Sequence, residues 1–359
     1  MGFGVLEPGS STPKGQRVLD VSETHGAVIT VGIIGAGQVG QRHAQAFARL
    51  GPEVQVLGVA DVEARRAADL AASCGARAFE DYHALLDLTP DIAVVCLPHH
   101  LHREVGLAAA EAGSHVLMEK PLANTLEDAQ TILEACRTGG VRLAVSFVHR
   151  YRVEFQEAHR LIAAGKIGVP ATMVDLFGLP GGPSVPSWVW QKQYSGGGIL
   201  MYSGIHSVDW QRWLLGAEVD EVFCRTLTYG PGDVENGLVA TLVFANGCLG
   251  SVIGNQPPYQ VTPRTRETEI YGMSGCLRIR SGEYLIYSSD AGAYRLEVNR
   301  DDPFVAQARD FVAAVREGRE PWITGEDGLR ALEVCLAIYR SAEVGHPVSV
   351  RDFVRESTG

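Results

Sequence analysis

Val28-Ile29-Thr30-Val31-Gly32-Ile33-Ile34, running into Gly35-Ala36-Gly37-Gln38-Val39-Gly40, is the stretch that decides the fold. The apolar, β-branched run reads as a buried strand. Helical spacing follows at once in Ala44, Ala46, Phe47 and Leu50, and a second apolar run, Val54 to Val59, stops at Asp61. A Gly-x-Gly-x-x-Gly motif alone is weak evidence, because glycines gather in many turns. Here it lies between strand and helix, with an acid 21 residues after Gly40, which is the context of a dinucleotide-binding unit. Gly35 permits the tight turn, Gly37 lets backbone approach a pyrophosphate, and Gly40 brings helix and strand together. The free N–H groups of the helix start, at Gln38 and Val39, then face the phosphates. The competing reading is an ordinary βαβ unit whose glycines serve the turn alone. Asp61 suits the ribose hydroxyls and favours NAD over NADP, because its charge repels a 2′-phosphate. Arg65 and Arg66, a turn later, keep NADP open.

A chain of 359 residues is long for one core, so two domains are expected. Hydrophobic residues make up 46% and charged residues 20%, as in ordinary soluble proteins. The formal net charge of -11 and the dispersed Lys and Arg argue against a nucleic-acid surface. Seven scattered cysteines, none in CxxC spacing, suggest a reduced, cytoplasmic protein without a disulfide framework or zinc module. No secretory signal or membrane span is apparent. Residues 1–27, rich in Gly, Ser, Pro, Thr and charge, read as a flexible tail.

Alternation continues beyond Asp61. Helices fit Glu63 to Ser73, Leu101 to Ala112 and Leu126 to Arg137, the last with Thr125 and Asp128 as a capping box. Strands fit Arg77 to Phe79, Ile92 to Leu97, His115 to Met118 and Arg142 to Phe147. This predicts a doubly wound parallel α/β sheet of the Rossmann type over residues 28–148, with ligands outside the carboxyl ends of its strands. Three strand ends then point at one crevice: His99-His100-Leu101-His102, Glu119-Lys120-Pro121 and His149-Arg150-Tyr151. Past residue 149 the pattern becomes α+β, with a large, mostly antiparallel open sheet. Its strands fit Ala171 to Leu179, Val219 to Tyr229, Leu238 to Phe244, Cys248 to Ile253, Thr268 to Tyr271, Cys276 to Ile279 and Tyr284 to Tyr287, with a hairpin at Asn246-Gly247. Helices fit Glu154 to Ala163, Phe304 to Arg316 and Asp327 to Glu343. Residues 149–359 are therefore read as a substrate-binding and oligomerisation domain.

A further signal is Gly196-Gly197-Gly198, followed by a mostly apolar helix carrying Tyr202, His206 and Asp209. The i, i+4, i+7 spacing places these three on one helical face. A histidine suits proton transfer near neutral pH.

Together, GAGQVG after the first strand, EKPLA and GGG…GIHSVDW resemble the family of glucose–fructose oxidoreductase, inositol dehydrogenase and the MocA rhizopine proteins. The ending ITGEDGLRALEVCLAIYRSAEVGHPV is similar to that family's C-terminal helix, so the resemblance covers about residues 28 to 350. It implies a Rossmann domain, a C-terminal open sheet used for dimers or tetramers, and reversible oxidation of a secondary alcohol on a sugar, cyclitol or related compound by NAD or NADP. It also implies that Lys120 polarises the reacting hydroxyl, that His206 takes the proton, and that Lys120-Pro121 is a cis peptide. Pro98, His99, His102, Glu119 and Lys120 are implied cofactor neighbours.

One departure matters. The family usually has Asp where this chain has Tyr202. Tyr202 can act as acid or donor, its pKa lowered by a nearby lysine, or shape the pocket for a bulky substrate; alternatively the site binds without turnover. The retained Lys120 and His206 argue against the last. Arg150 can bind substrate or form an interdomain salt bridge, Trp188 can stack on a sugar or pack in a core, and Asp209 can serve structure or function. His99, His100 and His102 lack the carboxylates of a metal set, so no metal is expected. Two rival functions remain: a cofactor-bound sensor or corepressor, and a glycosidase that uses NAD transiently.

Overall fold

The computed structural model describes residues 28–182, 185–230, 232–257, 264–298 and 302–358; the tail expected over residues 1–27 lies outside them. The first sheet takes β1 (Ile29–Ile34), β2 (Val54–Ala60), β3 (Arg77–Phe79), β4 (Ile92–Val95), β5 (His115–Met118) and β6 (Leu143–Val145) in the order β3-β2-β1-β4-β5-β6, all parallel. Between them lie α1 (Gln38–Ala48), α2 (Ala64–Cys74), α3 (Tyr82–Leu86), α4 (His102–Glu111) and α5 (Leu126–Thr138). The reason β1 reads as continuously apolar is visible in its two faces. Val31 and Ile33 pack with Ala44 and Phe47 of α1, whereas Ile34 packs with Leu85, Val95 and Val105 on the other side. Both faces are covered, so no polar alternation survives.

After α6 (Val153–Ala163) the chain builds β7 (Pro170–Gly178), α7 (Lys192–Ser195), α8 (Ile205–Leu215), β8 (Val219–Leu227), β9 (Gly237–Phe244), β10 (Leu249–Asn255), β11 (Thr265–Gly272), β12 (Gly275–Arg280), β13 (Tyr284–Ser289) and β14 (Gly292–Glu297). It closes with α9 (Pro303–Glu317), α10 (Gly325–Val344), β15 (Val348–Ser349) and α11 (Val350–Thr358). The second sheet runs β14-β13-β12-β11-β7-β10-β9-β8-β15 and is antiparallel except where β7 meets β10. Met173, Phe177, Ala240, Leu242, Val252 and Ile270 turn inward with Trp210 of α8. The other face is open, and its centre exposes Val174, Leu176, Val239 and Leu249.

Three details depart from the sequence reading. Helix α9 falls inside the expected second domain, yet Phe304, Val305, Ala308, Phe311 and Val312 share the core of β1 and α1. An amphipathic stripe states that a helix will be buried, not against which sheet. At α5, Thr125 accepts from the Asp128 N–H at 3.1 Å, but Asp128 turns to Arg103 and does not return the bond. The complete box is at α10, between Thr324 and Asp327. Strands β14 and β15 and helix α11 were not expected; β14 is largely exposed, which removes the alternation that marks a strand.

Candidate active site

At the end of β1, Gly35 has φ +100°, a conformation that L side chains rarely adopt. A Cβ there would overlap the Cys96 carbonyl, and one on Gly40 would overlap the Gly35 carbonyl. Gly37 is different: nothing lies within 4 Å of where its Cβ would stand. Two glycines thus close the turn and one leaves open space beside it. The N-cap of α1 carries no side-chain hydrogen bond, so the N–H groups at Gln38 and Val39 remain for a ligand. At the end of β2, Asp61 accepts from the Ala36 N–H at 2.8 Å and the Glu63 N–H at 2.9 Å. Those bonds fix the carboxylate against the glycine turn. An open backbone cradle, an uncapped helix start and a positioned acid fit a dinucleotide.

The second strand end supplies a cation. Lys120 follows β5, and the Lys120-Pro121 bond is cis. Its Nζ donates to the Tyr202 carbonyl at 2.6 Å and stands 5.1 Å from the centre of the Tyr202 ring. Burial lowers the Lys120 pKa; Glu119 opposes that shift, while Arg266 and Arg264 add to it. Behind the turn, His102 is fully buried, with one ring nitrogen 2.9 Å from the Pro121 carbonyl and the other 3.0 Å from the Leu97 carbonyl. Its expected role at the cofactor therefore needs correction: the ring is enclosed and braces the turns after β4 and β5. His99 after Pro98 donates through Nδ1 to the Ser195 carbonyl at 2.8 Å and meets Trp188 edge-on at 4.7 Å. This joins the cofactor side of the crevice to α7. Among the described residues, no group of three or more His, Cys, Asp or Glu side chains is arranged to hold a metal ion.

The third region descends from the triple glycine. Glu235 organises it, accepting from the Gly198 N–H (2.8 Å), the Leu200 N–H (3.0 Å) and the Tyr339 hydroxyl (2.8 Å). The chain then makes a π turn, Leu200–Gly204, before α8 begins. The single α-helical face expected for Tyr202, His206 and Asp209 is thus interrupted: Tyr202 sits in the π turn, and only His206 and Asp209 belong to α8. Such turns are frequent at functional sites. Burial pushes the Tyr202 phenol above its ordinary pKa, with Arg264 opposing. The direction is opposite to the lowered phenol weighed above, because desolvation of the phenolate outweighs the charge of Arg264. His206 is 8% exposed and its Nδ1 has no protein partner. Burial drives its pKa well down, helped by Lys120, Arg266 and Arg152, so the imidazole is neutral at neutral pH. His149 meets it edge-on at 4.7 Å.

Arg150 is committed elsewhere. It forms a bidentate pair with Asp209 (3.0 and 2.5 Å) and reaches Asp327 at 3.0 Å, tying the end of β6 to α8 and α10. This is a buried salt bridge within residues 149–359 rather than one between the two expected domains, and it gives Asp209 its partner. The substrate contact expected of Arg150 is not what this geometry offers, since its guanidinium is buried among carboxylates. Arg266 escaped the sequence reading. Its Nη2 donates to the Ser203 hydroxyl at 2.6 Å, its plane faces Phe177 and Trp210, and Nη1 is buried without a partner. A signal existed: Arg266 shares a strand face with Thr268 and the fully buried Ile270. Glu235 carried no local signal.

The chain is similar to known proteins in sequence and in fold. Residues 29–147 match the oxidoreductase family with an NAD-binding Rossmann fold, and residues 155–278 match the GFO/IDH/MocA C-terminal domain. The chain is 27% identical to myo-inositol 2-dehydrogenase of Thermotoga maritima, over 90% of this chain and 99% of the relative. It is 30% identical to 1,5-anhydro-D-fructose reductase of Ensifer adhaerens, over 72% and 80%. Levoglucosan dehydrogenase in complex with NADH superposes with a TM-score of 0.82 at 25% identity, covering 90% of this chain and 99% of that one.

Proposed function

The chain belongs to the Gfo/Idh/MocA oxidoreductase family, whose N-terminal domain is an NAD-binding Rossmann fold, and from that premise we propose a dehydrogenase in which Lys120 and His206 act at one reacting hydroxyl. It is an NAD-dependent enzyme of the sugar and cyclitol class. When bound, NAD would supply the hydride chemistry. The residues that would hold it are Gly35, Gly37, Gln38, Val39, Gly40 and Asp61, with Pro98, His99, Glu119 and Lys120 along the path to the reacting end. Lys120 donates to the substrate oxygen and stabilises the negative charge that grows there. His206, neutral through burial, accepts the hydroxyl proton, and gives it back in the reverse direction. Tyr202 walls the pocket with its ring and keeps its phenolic proton.

The observation that carries this reading is the 2.6 Å bond from Lys120 Nζ to the Tyr202 carbonyl. It joins the strand-end lysine of the first sheet to the π turn that leads into His206. The apolar centre of the open sheet face supports a homodimer or homotetramer. Seven free cysteines support a reducing, cytoplasmic setting; among the described residues no helix is long and apolar enough to cross a membrane.

The test is NADH formation by purified protein with NAD or NADP and a panel of sugars, cyclitols, glycosides and sugar acids. Reduction of NAD by at least one polyhydroxylated alcohol is expected. Cofactor binding with no turnover across the panel would favour a sensor. Glycoside cleavage with tightly held NAD and no net NADH would favour the transient-redox glycosidase.

A further inference from the structure

A buried polar chain runs behind the catalytic turn and involves a residue that the proposed chemistry does not use. His43, on α1 and 1% exposed, lies 2.9 Å through Nε2 from Glu119 Oε1 and 3.4 Å from the Ser146 hydroxyl. Ser146 can give its hydrogen to Gln307 Oε1 at 3.1 Å, and Gln307 donates to the Val145 carbonyl at 3.4 Å. A carboxylate only accepts, so the proton of His43 sits on Nε2; its Nδ1 has no partner. The other carboxylate oxygen, Glu119 Oε2, accepts from the Lys120 backbone N–H at 3.2 Å.

We propose that His43 is a positioning residue for Lys120: by donating to Glu119 it fixes a carboxylate against the backbone of the lysine and so sets the charge of the reacting ammonium. The inference rests on the role given to Lys120 above. The same α1 begins at the dinucleotide turn, so the device ties the cofactor-binding helix to the catalytic turn.

The electrostatics support the geometry. Burial raises the Glu119 pKa, but the interaction with His43, then Lys120 and Ser146, outweighs it, and the net shift is downward. Glu119 is in turn what opposes the lowering of Lys120. The groups bearing on Glu119 are His43 from α1, Ser146 after β6, Cys96 after β4, His102 of α4, Tyr202 of the π turn and its neighbour Lys120. Those bearing on Lys120 are Glu119, Arg266 and Arg264, with His99, His149 and His206 on the same side of the crevice. Without the His43 donor, a buried carboxylate binds a proton more readily, and Lys120 loses its opposing charge.

The chain holds only four lysines, Lys14, Lys120, Lys166 and Lys192. The Lys120 side chain can therefore be followed by NMR in full-length protein labelled at the lysine side-chain nitrogen, its signal assigned with Lys120→Arg. His43→Leu removes the donor at similar volume, and Lys120 should then titrate about one pH unit lower. The alkaline limb of kcat/KM should move with it. His43→Gln keeps an N–H donor and should restore both toward wild type. Should His43→Leu not fold, His43→Asn, too short to reach Glu119, carries the same expectation. An unchanged Lys120 titration in a folded variant lacking the donor would overturn the proposal. The NMR reading needs no turnover, so a failure of the dehydrogenase assignment would appear separately, as an absent rate with an intact titration shift.

Discussion

Two glycine turns frame this crevice, and their glycines are present for opposite reasons. In Gly35–Gly40 the middle glycine faces open space, and the outer two press backbone against backbone. In Gly196–Gly198 every glycine faces protein. A Cβ would meet Asn124 at Gly196, the Tyr339 hydroxyl at Gly197 and the Glu235 carbonyl at Gly198. The first turn leaves room for a ligand; the second gives its room to Glu235 and Tyr339, which anchor the π turn and hence His206. Glycine clusters thus mark close approach, and only the neighbours tell whether a ligand or the protein itself approaches.

The contrast is open to direct attack. Gly198→Ala should produce the largest effect, because the clash is with a backbone oxygen that cannot step aside. Urea unfolding should show a loss of about 3 kcal/mol; an unchanged midpoint would mean the second turn is as open as the first. Gly37→Val should do the reverse. Its backbone is extended (φ -67°, ψ -176°) and the space is empty, so stability should stay within about 0.5 kcal/mol. Calorimetry should find NAD binding weakened by more than about tenfold.

Acid separates the second turn further, because it lies among imidazoles that burial holds neutral. His99, His149 and His206 all have pKa values well below the ordinary 6.5. A histidine depressed in the folded state takes up its proton on unfolding, so its stabilising contribution is present above 6.5 and is lost as pH falls through that value. Urea midpoints on either side of pH 6.5 should therefore drop on the acid side; a flat profile would remove the buried-neutral assignment. The smallest effect belongs to Tyr202→Phe. Lys120 uses the Tyr202 backbone carbonyl and ring face, and both survive the change. Its kcat should stay within about a factor of three, far from the roughly hundredfold loss that follows removal of an acid–base group.

The parallel sheet was legible because its signals are local in sequence: a strand, three glycines, a helix and Asp61 lie within one short stretch. The antiparallel sheet was legible strand by strand, but its assembly was not, since strand order depends on pairings between distant segments. The π turn at Leu200–Gly204 has no residue type that marks it, so the sequence pattern reads Tyr202 as part of a regular helix. Arg150, Asp209 and Asp327 are far apart in the chain, and no spacing rule connects them. His43 looked like any helix residue until Glu119 was seen beside it. The residues that would perform the chemistry lay in motifs, whereas those that hold them in place did not.

The most direct test of the central claim, that the π-turn segment delivers a proton acceptor to the hydroxyl held by Lys120, is the turnover of His206→Ala with NAD and the best alcohol from the panel, with NAD affinity measured alongside. A fall in kcat of about a hundredfold or more with NAD affinity unchanged is expected. Turnover at the wild-type rate would contradict it.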